Sequence, residues 1–144
     1  MTDIAFHFNV GEPLAYACRL LRKAYGAGAH VTVVGPEAAL ADLDRALWTF
    51  TALDFVPHCR SNAPATVRER TSIVLAPDAV AAQGHADVLL NLGDGVPSGF
   101  EQFERLIELV STGDADRQQA RARWRHYAER GYSITRHDLA ARES

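Results

Sequence analysis

Four residues near the C-terminal end of the chain combine positive charge with an aromatic ring at helical spacing. Arg117, Arg121, Trp124 and Ala128 fall at i, i+4, i+7 and i+11, so a helix would present all four on one face. Guanidinium groups bind carboxylates through paired hydrogen bonds, and an indole can line an apolar pocket. This face is therefore a candidate receptor for a peptide with carboxylates and one aromatic side chain.

Two other interpretations of the same helix stay open. Arginine faces are commonly solvated, and Trp124 fits a core position because it lies on an apolar stripe with Ala120 and Tyr127. Contact with phosphate groups is the third alternative. The other arginines of this helix are predicted to point away from the candidate face: Arg123, Arg125 and Arg130.

A second group of large aromatic side chains lies in the middle of the chain. Trp48 is followed by Phe50 and then by Phe55, Pro57 and His58. Many aromatic residues in a short, irregular stretch indicate either a plug of the core or an exposed surface for a partner. The residue types alone favour neither interpretation.

The glycines Gly93, Gly95 and Gly99 stand between a predicted strand and a predicted helix, where nucleotide-binding proteins hold phosphate groups. Their spacing is G-x-G-x-x-x-G, and Asp94 places a negative charge where an anion would sit. A tight turn explains these glycines equally well. The alternative is a small nucleotide-binding α/β enzyme that uses this turn.

The sequence predicts no catalytic residue, no metal site and no cofactor. No serine lies in a G-x-S-x-G elbow, and His58-Cys59 is the only adjacent pair of a histidine and a cysteine. We therefore expect a binding module that is not an enzyme by itself.

Strands and helices that alternate along the chain must position these residues. Strands are predicted at Ile4–Phe8, His30–Val34, Ser72–Ala76 and Asp87–Leu92, with a further short strand within Leu53–Cys59. Helices are predicted from Pro13 to about Tyr25, from about Pro36 to Trp48, from Ser98 onward, and from Asp114 or Asp116 as the cap to about Gly131. This order predicts one domain, residues 1–144, built as a three-layer α/β sandwich around a mainly parallel sheet.

The helix predicted from Ser98 rests on two observations. Ser98 and Glu101 match the S-x-x-E capping box. Its buried face is predicted to contain Phe100, Phe103, Leu106, Ile107 and Val110.

Composition narrows the class of protein. The chain has 144 residues, of which 47% are hydrophobic and 23% charged, enough for one core. Two cysteines fit a reducing cytoplasm, and no apolar run approaches the ~20 residues of a membrane span. The net charge of -3 argues against direct binding of DNA, although residues 117–144 carry +4 and residues 1–116 carry -7.

Several segments resemble the chi subunit of bacterial DNA polymerase III. Residues 43–48 (LDRALW) and 55–58 (FVPH) match the L-D-x-x-L-W…F-[IV]-P-H signature of that family. Agreement continues, in the same order, through residues 88–92, 100–110, 120–127 and 131–132.

The resemblance implies a Rossmann-like α/β fold without a nucleotide site, and a non-catalytic accessory subunit that supports DNA replication. Chi proteins bind the acidic C-terminal tail of single-stranded DNA-binding protein, which ends in phenylalanine, and the psi subunit of the clamp loader. The family thus implies contact with DNA only through a partner, and we expect a monomer in isolation.

The resemblance also assigns residues to these two partners. The tail site falls on Arg117, Arg121 and Trp124, with Val110 nearby, and the best-known members have lysine and tyrosine where this chain has Arg117 and Trp124. The psi-binding surface falls on Trp48, Phe55, Pro57 and His58.

Overall fold

Seven strands and four α-helices make up the described part of the chain. The computed structural model describes residues 1–49, 56–79 and 87–140. The strands are β1 (Asp3–Val10), β2 (Val31–Val34), β3 (Cys59–Arg60), β4 (Ile73–Ala76), β5 (Val88–Asn91), β6 (Arg105–Ser111) and β7 (Ile134–Asp138). The helices are α1 (Pro13–Gly26), α2 (Glu37–Thr49), α3 (Ala65–Arg70) and α4 (Asp114–Glu129), with a 3₁₀ turn at Phe100–Gln102.

The strands form one parallel sheet in the order β3-β4-β2-β5-β6-β1-β7. β2 and β4 are buried along their whole length, because helices cover both faces of the sheet. The predicted α/β sandwich with a mainly parallel sheet is therefore confirmed. The strands predicted at 30–34, 72–76 and 87–92 are observed at nearly the same positions.

Helices α1 and α2 pack on one face of the sheet, and α4 packs on the other. Leu21 of α1 and Leu43 of α2 lie with Leu90 of β5 in one cluster of buried side chains. Phe6 of β1 and Tyr127 of α4 lie in the second cluster. The three layers follow from this division of the core.

The segment from residue 98 to residue 111 is not the helix that the sequence predicts. Only a 3₁₀ turn forms after Gly99, which has φ of 85°, and the strand β6 follows it. Leu106 and Ile107 face opposite clusters, as neighbours in a strand must. A strand buried on both faces is apolar at nearly every position, so its pattern also fits a helix. Pairing with β5 and β1 on its two sides decides in favour of the strand.

The start of α4 also differs from the prediction. Gly113 is the N-cap residue and no side chain caps the helix, so neither Asp114 nor Asp116 has the predicted role. Both aspartates lie in the first turn. The carboxylate of Asp116 instead accepts the N–H of Ser111, at 2.7 Å, because the chain folds back from β6 into α4.

The last strand, β7, is missing from the sequence prediction. It follows Gly131, which has φ of 78°, and pairs in parallel with β1. Ile134 packs against the core, but the strand is otherwise polar, so its pattern is weak. The strand predicted within 53–59 falls mostly on residues 50–55, which lie outside the described residues, and β3 begins at Cys59.

Candidate functional site

Helix α4 turns one face into the core and leaves its arginine-rich side outward. The residues of α4 that face the core and are buried are Ala120, Arg123 and Tyr127. Arg121 and Trp124 lie beside an open cleft of about 470 Å³ between α4 and β7. The residues that line this cleft are Phe8, Ala120, Arg121, Trp124, Arg125, Ala128 and Arg136.

Trp124 belongs both to the core and to the cleft. Its ring centroid lies 5.0 Å from that of Phe6 and 6.0 Å from that of Phe8. Phe6 and Phe8 stack on each other with centroids 5.7 Å apart. These contacts fix the indole, and its half-exposed surface lines the cleft. The floor of the cleft is therefore aromatic and held from below.

Two arginines that the sequence did not assign to this face complete the rim. Arg125 lines the cleft, so the prediction that it points away is wrong; it lies one helical turn after Arg121. Arg136, on β7, holds its guanidinium carbon 5.0 Å from the centroid of the Phe8 ring, within the range of a cation–π contact. Three guanidinium groups, with no carboxylate among the described lining residues, make the rim electropositive.

The two other residues expected at this site lie outside the cleft. Arg117 is exposed near the start of α4, and its Nη2 donates to Oδ1 of Asn9 at 2.6 Å. Asn9 has φ of 60°, and its Nδ2 donates to Asp138 at 2.8 Å. Val110 is fully buried in the core beneath α4. Arg117 extends the positive face toward the ends of β1 and β7, whereas Val110 only supports the helix.

A buried polar network holds the inner face of α4. Glu108 of β6 is fully buried. Its carboxylate accepts hydrogen bonds from Nε of Arg123 at 3.1 Å and from the hydroxyl of Tyr127 at 2.6 Å. Nδ2 of Asn91 donates to the same carboxylate at 3.0 Å. Nη1 of Arg123 donates to the carbonyl oxygen of Asp94 at 2.7 Å. Arg123 thus points away from the cleft, as predicted, but into the core.

The electrostatics of this network follow from burial. Burial raises the pKa of the Glu108 carboxyl, and the guanidinium of Arg123 acts against that shift. Burial and the negative charge of Glu108 both raise the pKa of Tyr127. A lone glutamate in an apolar strand and an Arg/Tyr pair at i, i+4 were the available sequence signals for the network.

The Gly93–Gly99 turn is tied to the protein interior. Nδ2 of Asn91 donates to the carbonyl oxygen of Gly95 at 3.0 Å, and the N–H of Gly93 donates to Oδ1 of Asn91 at 2.9 Å. The turn leads into the 3₁₀ turn Phe100–Gln102 and then into β6. Over these described residues, the α-helix N-terminus that binds phosphate in nucleotide sites does not follow the turn.

A second exposed aromatic surface lies at the end of α2. Trp48 is 61% exposed, and its ring centroid is 5.6 Å from that of His58, in an edge-on contact. Nε2 of His58 lies 2.6 Å from Oδ1 of Asp44, which fixes the imidazole. Pro57 is half-buried next to His58, and Phe55 lies outside the described residues. The His58 side chain is only 1% exposed, so it supports the Trp48 ring and Trp48 is the exposed member of the group. We call Trp48, Pro57 and His58 the α2 surface.

Other kinds of site find little support in residues 1–49, 56–79 and 87–140. No three His, Cys, Asp or Glu side chains there are grouped to hold a metal ion. No helix in those ranges is long and apolar enough to span a bilayer. Cys18 and Cys59 are free cysteines, and burial raises the pKa of both thiols. The described features are those of an α/β domain with an arginine-rimmed cleft and an exposed tryptophan at the end of α2.

Comparisons with known proteins identify the family. A family model described as DNA polymerase III chi subunit, HolC, matches residues 1–135. The DNA polymerase III subunit chi of Pseudomonas aeruginosa is 35% identical over 127 residues, which cover 88% of this chain and 86% of that protein. The subunit of the same name from Haemophilus influenzae is 27% identical over 120 residues, covering 83% of this chain and 82% of that protein. The chain therefore belongs to the chi subunit family of DNA polymerase III, accessory subunits of DNA replication, as the resemblance implied.

Proposed function

We propose that this protein binds the acidic C-terminal tail of single-stranded DNA-binding protein in the cleft between α4 and β7. On this proposal it also binds the psi subunit through the α2 surface, and so links the tail to the clamp loader in the cytoplasm. Its contact with DNA is then indirect.

The composition of the cleft carries this proposal. Arg121, Arg125 and Arg136 surround a floor formed by Trp124 and Phe8. Guanidinium groups pair with carboxylates in two-pronged hydrogen bonds, and an aromatic floor can bury one phenylalanine side chain. An acidic peptide that ends in phenylalanine complements both parts of the cleft.

Calorimetric titration with a synthetic peptide of aspartates that ends in phenylalanine tests the proposal. We expect the wild type to bind, and Arg121→Glu to weaken binding at least about tenfold, because the substitution places a negative charge against the ligand. Arg130→Glu is the matched control: it makes the same change of charge at the C-cap residue of α4, outside the cleft lining. Absence of binding to the wild type, or equal losses in both variants, would contradict the tail site.

Ionic strength provides an independent measurement on the same complex. Contacts at an exposed arginine rim are screened by salt, whereas burial of an aromatic side chain is not. We expect the affinity to fall as salt is added and then to level off at a residual value. An affinity that does not change with salt would contradict a role for the rim arginines.

Exposure of Trp48 supports the second partner site, because a large aromatic side chain that is 61% exposed on a helix end is typical of an interface. We expect psi to co-purify with the wild type and to be lost from Trp48→Ala. Tyr25→Ala on α1, where the tyrosine is 42% exposed, is the control for removal of a surface aromatic residue. Retention of psi by Trp48→Ala would contradict this site.

A further inference from the structure

We propose that Arg136 binds the α-carboxylate of the last residue of the peptide, while Arg121 and Arg125 bind the carboxylate side chains that precede it. This inference rests on the proposed function, because it specifies how the same cleft recognises the end of an acidic peptide. It concerns a residue on β7, which neither helical spacing nor the family signature singles out.

The position of Arg136 relative to the aromatic floor distinguishes it from the helix arginines. Its guanidinium lies over the ring of Phe8, at 5.0 Å, and Phe8 in turn contacts Trp124. In a C-terminal phenylalanine, the benzyl side chain and the α-carboxylate are attached to the same carbon atom, Cα, so the ring and the carboxylate lie only a few bonds apart. A site for both groups needs an apolar surface and a cation within a few ångströms of each other, and Arg136 with Phe8 meets that requirement.

The cation–π contact also suits Arg136 to bind a carboxylate. A planar guanidinium that lies against a ring keeps its N–H groups in its own plane, where a carboxylate can accept two of them. The contact with Phe8 restricts the side chain before the ligand arrives, so less entropy is lost on binding. Arg136 is exposed, so a ligand in the cleft can reach it.

The spacing of the helix arginines fits the rest of the ligand. Arg121 and Arg125 are both exposed and lie four residues apart, about 6 Å along the helix axis. Alternate side chains of an extended peptide are roughly 6.6 Å apart and point to the same side. Two carboxylate side chains on one side of an extended tail can therefore reach Arg121 and Arg125.

Two forms of one peptide test this assignment. A fluorescent peptide of aspartates ending in phenylalanine is prepared with a free α-carboxylate or with a C-terminal amide, and anisotropy gives Kd for each form. We expect amidation to weaken binding to the wild type about tenfold, the effect of losing one charge-assisted pair. Arg136→Ala should bind the free form about tenfold less tightly and no longer distinguish the two forms. Arg121→Ala should weaken both forms equally and keep the preference for the free carboxylate.

Two further variants separate recognition from general effects. Arg136→Lys should keep part of the preference, because it retains the charge but not the two-pronged geometry. Arg130→Ala should leave both Kd values within about twofold of the wild type. Thermal unfolding establishes that each variant is folded.

The outcomes also separate this inference from the proposed function. If the wild type binds the free peptide but Arg136→Ala still prefers it over the amide, Arg136 does not bind the α-carboxylate, and the tail site stands without it. The same conclusion follows if amidation changes wild-type binding less than about twofold. If the wild type binds neither form, the proposed function itself is wrong, and this inference falls with it.

Discussion

Arg121 and Arg123 stand two residues apart on α4 and meet opposite environments. Arg121 is exposed on the rim of the cleft, whereas Arg123 is 3% exposed and donates to Glu108 and to the backbone at Asp94. Two residues correspond to about 200° around a helix, so one arginine faces solvent while the other faces the sheet. A buried charge must be matched by a partner, and an exposed one remains available to a ligand. The same residue type therefore stabilises the fold on one face and serves recognition on the other.

The largest expected effect comes from the inner face. Arg123→Met keeps the aliphatic stem but leaves Glu108 buried without its cation, so we expect the free energy of unfolding to fall by about 3–5 kcal/mol. Arg121→Met, the same substitution on the outer face, should change it by no more than about 0.5 kcal/mol. Urea unfolding followed by circular dichroism measures both variants. Similar losses of unfolding free energy in Arg123→Met and Arg121→Met would contradict the distinction between the inner and outer faces of α4.

The instability of Arg123→Met should depend on pH. Burial raises the pKa of Glu108, and in this variant the opposing effect of Arg123 is absent. A carboxyl whose folded pKa exceeds its unfolded pKa contributes stability below the unfolded pKa, and that stability is lost as pH rises. We expect the free energy of unfolding of Arg123→Met to lie closer to that of the wild type at about pH 5 than at about pH 8. The change between the two pH values is about 1.4 kcal/mol for each unit by which the folded-state pKa of Glu108 is higher in the variant than in the wild type. If the variant loses the same free energy of unfolding at both pH values, its Glu108 carboxylate is paired with another cation.

A smaller effect is expected where the inner network loses one neutral donor. Tyr127→Phe removes the hydroxyl that donates to Glu108 at 2.6 Å, while Arg123 and Asn91 still donate to that carboxylate. We expect a loss of about 1–2 kcal/mol in the free energy of unfolding and an unchanged Kd for the acidic peptide. Tyr25→Phe, at an exposed tyrosine on α1, is the control and should stay within about 0.5 kcal/mol of the wild type. A higher Kd for the acidic peptide in Tyr127→Phe would mean that the two faces of α4 are coupled.

The smallest expected change is the loss of one rim contact. Arg121→Met should weaken binding of the acidic peptide about fivefold, or about 1 kcal/mol, because Arg125 and Arg136 remain in the cleft. Titration of the folded variant against the wild type measures it. A loss of stability without a loss of affinity would reverse the roles assigned to Arg121 and Arg123.

The central strands could be predicted from the sequence because their signals are local. β2 and β4 are short apolar runs that end at turn residues, and burial on both faces explains their composition. The same property misled the prediction at β6, where apolar residues on two faces imitate a helical stripe. At helical spacing Glu108 falls on the polar side of that stripe, but in the strand it lies on a buried face, where its carboxylate meets donors from α4.

The candidate site was predictable only where it lies on one helix. Helical spacing placed Arg121 and Trp124 together, and the structure brings both to the cleft. Arg136 and Phe8 reach the same cleft because β7 pairs with β1, two strands more than a hundred residues apart in sequence. No local pattern reports such a pairing. The pairing of Arg123 with Glu108 could likewise not be predicted from helical spacing, because Glu108 lies on another element.

The position of β7 at the edge of the sheet has a consequence for motion. In the described sheet it pairs with β1 on one side, and an edge strand opens by local fluctuation at a lower free energy than a central strand. Each opening of β7 carries Arg136 away from Trp124 and so dismantles the cleft. A ligand that bridges α4 and β7 adds its binding free energy to the closed state. Occupation of the cleft will therefore slow hydrogen exchange at the amides of β7 and leave exchange in β2 unchanged.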